Sequence, residues 1–245
     1  MHDNVAAAAN TMPVVEKFVS VNGEGRAAGK LAAFIRFAGC NLACSYCDTT
    51  WANEADVATE RLTVGEIVDY VRETGVRHIT LTGGEPALQP LLPELVRALL
   101  GVGLAGSRPA GGLAVEIETN GAVDLGKLAA VRRECRDVPG RLSFTMDFKC
   151  PSSGMEDRML ASNYELLTCD DTVKFVMGSH ADMQCMLRVA REYDLFSRCE
   201  VYLSPVFGCL EPAEIVAFMQ KHSLTRATVQ VQLHKIIWPN VERGV

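Results

Sequence analysis

The sequence predicts an α/β fold in which a mainly parallel sheet curves into an incomplete barrel around a polar lumen. Two observations predict it: strand and helix patterns alternate along the 245 residues, and nearly every strand pattern has one apolar and one polar side. Because helices between parallel strands would cover the outside of the sheet, we expect the polar sides to face inward. A closed eight-stranded barrel normally fills its interior with apolar side chains, so a polar interior favours an open one. A half-solvated antiparallel sheet is the alternative.

The elements follow from short runs of apolar alternation and from helical periodicity. Strands are predicted near 17–21, 31–38, 78–82, 114–118, 142–149, 172–177, 199–204 and 228–234. Helices are predicted near 63–75, 90–101, 124–135, 181–194 and 211–221. Thr63 with Glu66 has the spacing of a capping box at the first helix. We expect a flexible N-terminus over 1–12 and a single domain over 13–245, with a surface loop over 101–112.

The side chains expected in the lumen can be named because neighbouring residues of a strand point to opposite faces. The inward-facing positions are Thr80, Thr82, Glu116, Glu118, Thr145, Asp147, Lys149, Lys174, Tyr202, Ser204, Gln230, Gln232 and His234. A lumen with both carboxylates and lysines predicts a charged ligand.

Composition limits the classes of partner. Apolar residues make up 48% of the chain and charged residues 22%, as in ordinary globular proteins. The 24 basic and 30 acidic residues give a formal charge of −6, so no overall attraction to nucleic acid or to anionic membranes is expected. No apolar run is long enough to span a membrane, and the opening residues lack a secretory signal pattern. We therefore expect a cytoplasmic protein with neither a nucleic-acid nor a membrane partner.

The nine cysteines are unevenly spread. Cys40, Cys44 and Cys47 lie within eight residues on a loop after a predicted strand, which favours metal or redox chemistry over a disulfide framework. Three thiolates would hold a [4Fe-4S] cluster and leave one iron open. The alternative is a structural zinc site with a distant fourth ligand. The remaining cysteines are expected to be small buried or incidental thiols: Cys135, Cys150, Cys169, Cys185, Cys199 and Cys209.

Two motifs carry a resemblance to a known superfamily. The Cys-x-x-x-Cys-x-x-Cys loop, with Tyr46 before its last cysteine, and the Thr-Gly-Gly-Glu-Pro at 82–86 resemble those of radical S-adenosylmethionine (SAM) enzymes. The resemblance implies a partial TIM-like barrel of the radical SAM type. It also implies that the cluster is held by Cys40, Cys44 and Cys47 and that SAM binds at the open iron.

Further segments are similar to the 7-carboxy-7-deazaguanine synthase family of queuosine and 7-deazapurine biosynthesis. The similarity is carried by residues 20–25, 47–49, 118–121, 147–154, 204–206, 232–234 and 243–245. Asn22 stands where glutamine is commoner in that family. The similarity implies a carbon-nitrogen lyase that converts 6-carboxy-5,6,7,8-tetrahydropterin to 7-carboxy-7-deazaguanine and ammonia. It further implies a SAM-derived 5′-deoxyadenosyl radical, regeneration of SAM, dependence on Mg²⁺, a flavodoxin or ferredoxin as electron donor, and a homodimer.

The same similarity implies roles for individual residues, none of them a side-chain acid or base. The SAM contacts would be Tyr46, Cys47, Asp48, Gly84, Glu85, Asp147, Phe148, Lys149 and Ser204. Thr49 would bind Mg²⁺. The substrate contacts would be Val21, Asn22, Gly23, Arg36, Thr82, Glu118, His234 and Val245.

Structural alternatives apply to several of these residues. Arg36, and Asp147 with Lys149, could form internal ion pairs, while Thr49 could cap a loop. At the level of the whole protein, a glycyl-radical-enzyme activase shares the cysteine loop. A non-enzymatic zinc-binding module is the alternative from another class.

Overall fold

The structure is a computed structural model that describes residues 10–54, 56–103 and 111–245. Its strands are β1 (Met12–Val21), β2 (Leu31–Phe37), β3 (Glu60–Leu62), β4 (His78–Gly83), β5 (Ala114–Thr119), β6 (Arg141–Lys149), β7 (Thr172–Met177), β8 (Glu200–Pro205) and β9 (Ala227–Val229). Its α-helices are α1 (Val64–Thr74), α2 (Leu92–Leu100), α3 (Gly126–Glu134), α4 (His180–Glu192), α5 (Leu195–Arg198), α6 (Pro212–His222) and α7 (Leu233–Ile237). Short 3-10 turns lie at Thr50–Asn53, Pro86–Leu88, Pro151–Ser153, Glu156–Arg158 and Ala161–Leu166.

All nine strands belong to one sheet in the order β3-β1-β2-β4-β5-β6-β7-β8-β9. β1 is antiparallel to both β2 and β3, and every pairing from β2 to β9 is parallel. The two outermost strands, β3 and β9, are not paired with each other, so the sheet stays open. The predicted α/β fold with an incomplete barrel is confirmed.

The two faces of the sheet differ as the alternation predicted. Ile79, Leu81, Ile117, Phe144 and Phe175 are fully buried in the apolar core on one face. Burial of each such side chain stabilises the fold by roughly 1.5–3 kcal/mol relative to exposure. The opposite face carries the polar side chains that form the candidate site.

Helix α1 shows how local sequence sets the boundaries of an element. The Thr63 side chain accepts a hydrogen bond from the backbone N–H of Glu66, whose carboxylate in turn accepts from the Thr63 N–H. The helix ends at Gly75, which has a left-handed φ of 64°. Its apolar residues Ile67 and Val71 face the core. The predicted capping box is confirmed.

The N-terminal strand differs from its prediction. β1 begins at Met12, which is buried, so the flexible segment predicted over 1–12 does not extend to that residue. A register shift between Val14 and Glu16 interrupts the alternation, which explains why only 17–21 read as a strand. The three-residue strand β3 was not predicted. Residues 1–9 lie outside the described residues.

The last strand is shorter than predicted. β9 ends at Val229, and residues Leu233–Ile237 form helix α7, so the predicted alternation through His234 is wrong. The Leu233 N–H donates to the carbonyl of Gly23 at 3.1 Å rather than to a strand, which turns the chain away from the sheet. In the predicted loop 101–112, Gly103 and Gly112 form an antiparallel bridge, and residues 104–110 are outside the described part. No helix within the described ranges is long and apolar enough to cross a membrane.

Candidate active site

The cysteine loop begins directly after β2, at the carboxyl end of that strand. Cys40, Cys44 and Cys47 are half-buried free thiols. The Cys40 sulfur accepts hydrogen bonds from the backbone N–H of Leu42 at 3.4 Å and from Nδ2 of Asn120 at 3.6 Å. Donors aimed at sulfur are typical of thiolates that ligate iron, because they stabilise the negative charge.

The three thiols share one electrostatic environment. Burial raises the pKa of the Cys44 thiol, and Cys47 and Cys40 raise it further, while the Lys149 ammonium lowers it. Lys149 is therefore the cation that faces the loop. A ligand that brings positive charge to these sulfurs would favour their thiolate forms.

The arrangement of donors distinguishes a cluster from a single ion. Among the described residues, no group of three or more His, Cys, Asp or Glu side chains converges as one metal ion would require. A structural zinc site needs four ligands on one ion, whereas in a cubane each thiolate binds a different iron. Three separate thiols on one loop therefore fit a [4Fe-4S] cluster better than the zinc alternative.

Two glycines seat the end of β4 against the start of the cysteine loop. A Cβ atom on Gly83 would lie 2.3 Å from the carbonyl oxygen of Phe37, and one on Gly84 would lie 2.1 Å from that of Gly39. The N–H of Gly84 donates to Phe37, and the N–H of Glu85 donates to Gly39 at 2.8 Å. Glycine is needed here because the two backbones touch.

Glu85, a predicted SAM contact, accepts hydrogen bonds from the protein itself. Its fully buried carboxylate accepts from the N–H of Ala87, the hydroxyl of Thr119 and the N–H of Asn120, at 2.9, 2.9 and 2.6 Å. Oε1 accepts two of these bonds and Oε2 one, so Oε2 can still accept another donor, and the contact with the ammonium of SAM stays a prediction. The three bonds tie the end of β4 to the end of β5.

A chain of ion pairs crosses the lumen. Asp147 lies 3.1 Å from Lys149 and 3.2 Å from Lys174, and Lys174 also binds Glu24. Burial raises the pKa of Asp147, but the two lysines lower it to a net decrease. Burial lowers the pKa of Lys174, yet Asp147 and Glu24 raise it well above its ordinary value. The ion pair considered as an alternative for Asp147 and Lys149 is present, and it extends to Lys174.

The segment 22–25, here called the floor segment, closes the opposite end of the lumen. The buried Asn22 amide donates to the Thr80 hydroxyl at 3.2 Å and to a Glu116 oxygen at 3.3 Å. Gly25 exchanges two hydrogen bonds with the side chain of Gln230, at 2.8 and 3.1 Å. The floor segment thus joins the sheet on one side to the chain beyond β9 on the other.

Glu118 is a lumen carboxylate whose pKa is strongly raised. Burial raises its pKa to about 7; Lys174 and a hydrogen bond with Thr82 oppose the increase, and Glu116 adds to it. His234 lies beside the floor segment, since a Cβ on Gly23 would be 2.5 Å from its Nδ1. Burial lowers the pKa of His234, although Glu24 raises it. His234 reaches the site from helix α7, not from a strand end.

Arg36 has an internal partner. Its Nε lies 2.7 Å from an oxygen of Glu16, and both side chains are largely buried. The second Glu16 oxygen accepts from the N–H of Gly244 at 3.2 Å, which brings the half-buried Val245 close to the same pair. The ion pair weighed as the alternative for Arg36 is therefore present.

The last part of the cysteine loop offers oxygen atoms that could bind a metal ion. The Thr49 hydroxyl donates to Asp48 at 3.0 Å and does not cap the 3-10 turn that follows. Lys235 lies 3.1 Å from the other Asp48 oxygen. Partial burial raises the pKa of Asp48, but Lys235 and Thr49 lower it to a net decrease. A hydroxyl beside an ionised carboxylate fits a hard cation such as Mg²⁺.

Tyr46 is anchored to the sheet. Its hydroxyl donates to the carbonyl of Val176 at 3.2 Å, and burial raises its pKa. Ser45 fixes the same stretch through Ser152 and Ser153, at 2.6 and 3.1 Å. The aromatic ring therefore has a fixed place between the cysteine loop and the end of β7.

The chain is similar in sequence to proteins of known family. The Radical SAM superfamily profile matches residues 34–144. A 7-carboxy-7-deazaguanine synthase of Clostridium acetobutylicum is 47% identical over 95% of this chain and 98% of its own length. The chain belongs to the 7-carboxy-7-deazaguanine synthase family. A second family member, from Methanospirillum hungatei, is 35% identical over 95% of this chain and 88% of its own length.

A solved structure supports the fold of this synthase family member. The crystal structure of QueE from Escherichia coli superposes with a TM-score of 0.63 and covers 94% of this chain and 98% of its own. Sequence identity is 20%, so the similarity shows a shared fold.

Two residues predicted as SAM contacts in the synthase have other surroundings. Phe148 is buried on the apolar face of β6, where its ring lies 5.3 Å from that of Phe175, so its side chain does not face the lumen. The fully buried Ser204 hydroxyl donates to the carbonyl of Gln230 at 3.0 Å. Asn22 is likewise occupied by Thr80 and Glu116. These three side chains shape the site from within the protein.

Other residues of the synthase lumen were not singled out from the sequence. Lys174 and Glu116 were on the predicted polar face, but nothing in the alternation separates a site residue from its neighbours. Glu24 lies within the segment 20–25, which carried the similarity to the family, but it was given no role of its own. Glu16 was hidden by the irregular register of β1, and Asn120 by its place just after β5.

The six cysteines outside the loop are all free thiols. Cys150, Cys185 and Cys199 are buried, Cys135 is half-buried, and Cys169 and Cys209 are exposed. Their scatter agrees with the expectation of buried or incidental thiols.

Proposed function

We propose that this chain converts 6-carboxy-5,6,7,8-tetrahydropterin to 7-carboxy-7-deazaguanine with release of ammonia, the reaction for which its relatives are named. The observation that carries the proposal is one lumen with three free thiols at its open end and hydrogen-bond acceptors below them, of which the half-buried Glu118 is the foremost. Family membership at 47% identity supports the same reaction.

Cys40, Cys44 and Cys47 would hold the [4Fe-4S] cluster, and Lys149 with the backbone at Gly84 would contact SAM beside it. When bound there, cluster and SAM supply a hydrogen-abstracting radical, with SAM regenerated at the end of the cycle. Lys149 offers an ammonium to a ligand carboxylate, and its pairing with Asp147 holds that ammonium in place. Tyr46 supports the adenine side of the site through its anchored ring.

The lumen residues would bind and orient the pterin. A carboxylate accepts from ring N–H and amino groups, which makes Glu118 the proposed partner of that edge, with Thr82 and His234 beside it. Arg36 keeps its outer guanidinium nitrogens for the substrate carboxylate while Glu16 holds Nε. Val21, Gly23 and the Val245 carboxylate remain proposed contacts. The closed floor excludes water and competing hydrogen donors, so the reactive position meets only the groups aimed at it.

Thr49, with Asp48 beside it, is the proposed Mg²⁺ site. A hydroxyl and a carboxylate supply two hard oxygens, and substrate oxygens and water would complete the shell. The proposal includes a flavodoxin or ferredoxin as electron donor, a homodimer and a cytoplasmic location, all of which stay predictions.

The test is anaerobic reconstitution with iron and sulfide, reduction, and incubation with SAM, Mg²⁺ and the tetrahydropterin. We expect a brown protein that forms many equivalents of the deazaguanine per SAM, detected by mass, with slower turnover when Mg²⁺ is omitted. Consumption of one SAM per product, or radical transfer to an added protein instead of the pterin, would contradict the proposal. Zinc without iron in the purified protein would favour the non-enzymatic alternative.

A further inference from the structure

The carboxylates of the lumen differ in whether the protein gives their oxygens a donor. The two oxygens of Glu116 accept from Thr145 and from Asn22. Each oxygen of Asp147 lies near a lysine ammonium. Buried polar atoms in folded proteins nearly always have such partners. Glu116 therefore has both oxygens partnered inside the fold, whereas Asp147 Oδ1 has no hydrogen bond from the described residues and only the Lys174 ammonium, 3.2 Å away.

Glu24 differs from Glu116. Its Oε2 binds the Lys174 ammonium, whereas Oε1 is buried and has no hydrogen-bond partner within the described part of the chain. The side chain as a whole is 11% exposed, so bulk water gives little compensation. A buried anionic oxygen without a donor is costly, which indicates that a bound molecule supplies the donor.

The position of Glu24 restricts what that molecule is. Glu24 lies on the floor segment, whose Asn22 and Gly25 are fixed by hydrogen bonds, and Lys174 fixes its carboxylate from β7. Its charge acts on Glu118 and on His234, the residues proposed to contact the heterocycle. Glu24 thus faces the same ligand volume from below.

We propose that Glu24 Oε1 accepts a hydrogen bond from the amino-substituted edge of the bound heterocycle and selects an amino group over a carbonyl oxygen there. A carboxylate attracts an N–H donor and repels a carbonyl oxygen, so one residue both favours the correct ring and disfavours its oxo counterpart. Lys174 is then a positioning residue that turns the free oxygen of Glu24 toward the lumen. The inference rests on the proposed pterin reaction and adds to it a determinant of specificity.

The test compares two fluorescent ligands, 6-carboxypterin and 6-carboxylumazine, which carry an amino group and a carbonyl oxygen at the same ring position. Equilibrium binding to the reconstituted holoenzyme with SAM is measured for the wild type, Glu24→Gln and Glu116→Gln. We expect the wild type to prefer the pterin by at least about tenfold, as for a hydrogen bond to a charged group. Glu24→Gln should reduce that preference about tenfold or more, because its amide can donate to the carbonyl.

Glu116→Gln is the matched control. It makes the same change at a lumen carboxylate whose oxygens already have protein donors, and it should keep the wild-type preference. If the wild type binds both ligands equally, the inference is overturned without any variant. The test therefore still works if Glu24→Gln folds poorly. An unchanged preference in Glu24→Gln, or an equal loss in both variants, also overturns it. Failure of the wild type to bind either ligand would instead count against the proposed function.

Discussion

The cysteine loop and the floor segment lie at opposite ends of β2 and use their side chains in opposite ways. The floor segment follows β1 and leads into the first residue of β2, and the cysteine loop follows its last. On the floor, Asn22 and Gly25 are held by hydrogen bonds to neighbouring elements, and Glu24 by an ion pair. On the cysteine loop, the three thiols are free, and a backbone N–H donates to one of them, Cys40.

The difference shows how one sheet both closes the lumen at one end and offers ligands for a cofactor at the other. At the floor, the hydrogen bonds of Asn22 and Gly25 and the ion pair of Glu24 stabilise the fold, and Glu24 Oε1 alone lacks a partner among the buried side-chain polar atoms described in this segment. At the cysteine loop, the three thiols form no disulfide, and Cys40 has N–H donors from Leu42 and Asn120, so the sulfurs remain available to bind a cofactor. Variants at the two ends are therefore expected to fail in different ways.

The largest effect is expected at the cysteine loop. Cys44→Ala should abolish the visible absorption of the reconstituted cluster and lower turnover at least about 1,000-fold, because an oriented radical source is lost. Thermal unfolding of the apoprotein should change little, since the thiol is only half-buried. Cys209→Ala, which removes an exposed thiol elsewhere, is the control and should keep both absorption and turnover.

Arg36 tests whether a residue between the two ends binds ligand or only stabilises the fold. Arg36→Gln should raise the KM for the tetrahydropterin about 100-fold, because a paired carboxylate contact is lost. Glu16→Gln with Arg36→Gln separates the roles, since a purely structural ion pair would be largely restored when both partners are neutral. Recovery of the KM in the double variant would show that Arg36 serves only Glu16.

Glu118 should make ligand binding depend on pH. Its pKa is about 7, so the carboxylate that accepts N–H groups forms as the pH rises through 7. The dissociation constant of 6-carboxypterin should fall about tenfold over that range and become nearly flat in Glu118→Gln. The free energy of unfolding depends on pH with the opposite sign. Because the pKa of Glu118 is higher in the folded protein, its contribution to stability is fully present below pH 4.5 and is lost as the pH rises through about 7. Binding that weakens as the pH rises through 7 in the wild type would contradict this role.

The smallest effect on chemistry is expected at the floor. Gln230→Ala removes both hydrogen bonds to Gly25 and should lower the free energy of unfolding by about 1–3 kcal/mol. Cluster absorption should remain, and kcat should fall no more than a few-fold. Gln220→Ala, on the surface helix α6, is the control for loss of an amide. A loss of cluster in Gln230→Ala would break the proposed division of labour between the two ends.

Periodicity predicted the centre of this molecule well and its margins poorly. The parallel strands from β4 to β8 alternate cleanly, since one face meets helices and the other meets the lumen. β1 and the residues after β9 escape that rule. A register shift interrupts the alternation in β1. After β9, the N–H of Leu233 donates to Gly23 of the floor segment instead of to a neighbouring strand.

The candidate site shows the same limit. The cysteine spacing and the glycine pair are local signals, so Cys40, Cys44, Cys47 and Gly84 could be proposed from the sequence alone, and the structure places them at adjoining strand ends. Whether a polar side chain is free or occupied depends on residues far away in the chain, as for Glu85, Ser204 and Asn22. The open oxygen of Glu24 depends likewise on Lys174, 150 positions away.

The open side of the sheet has a mechanical consequence. The chain after β9 is joined to the loop after β1 by hydrogen bonds that are not part of a strand ladder. The Gln230 side chain bonds both the N–H and the carbonyl of Gly25, and the N–H of Leu233 donates to the carbonyl of Gly23. The connection on this side of the molecule therefore depends on one glutamine side chain and one backbone amide, whereas every neighbouring pair of strands has a whole row of hydrogen bonds.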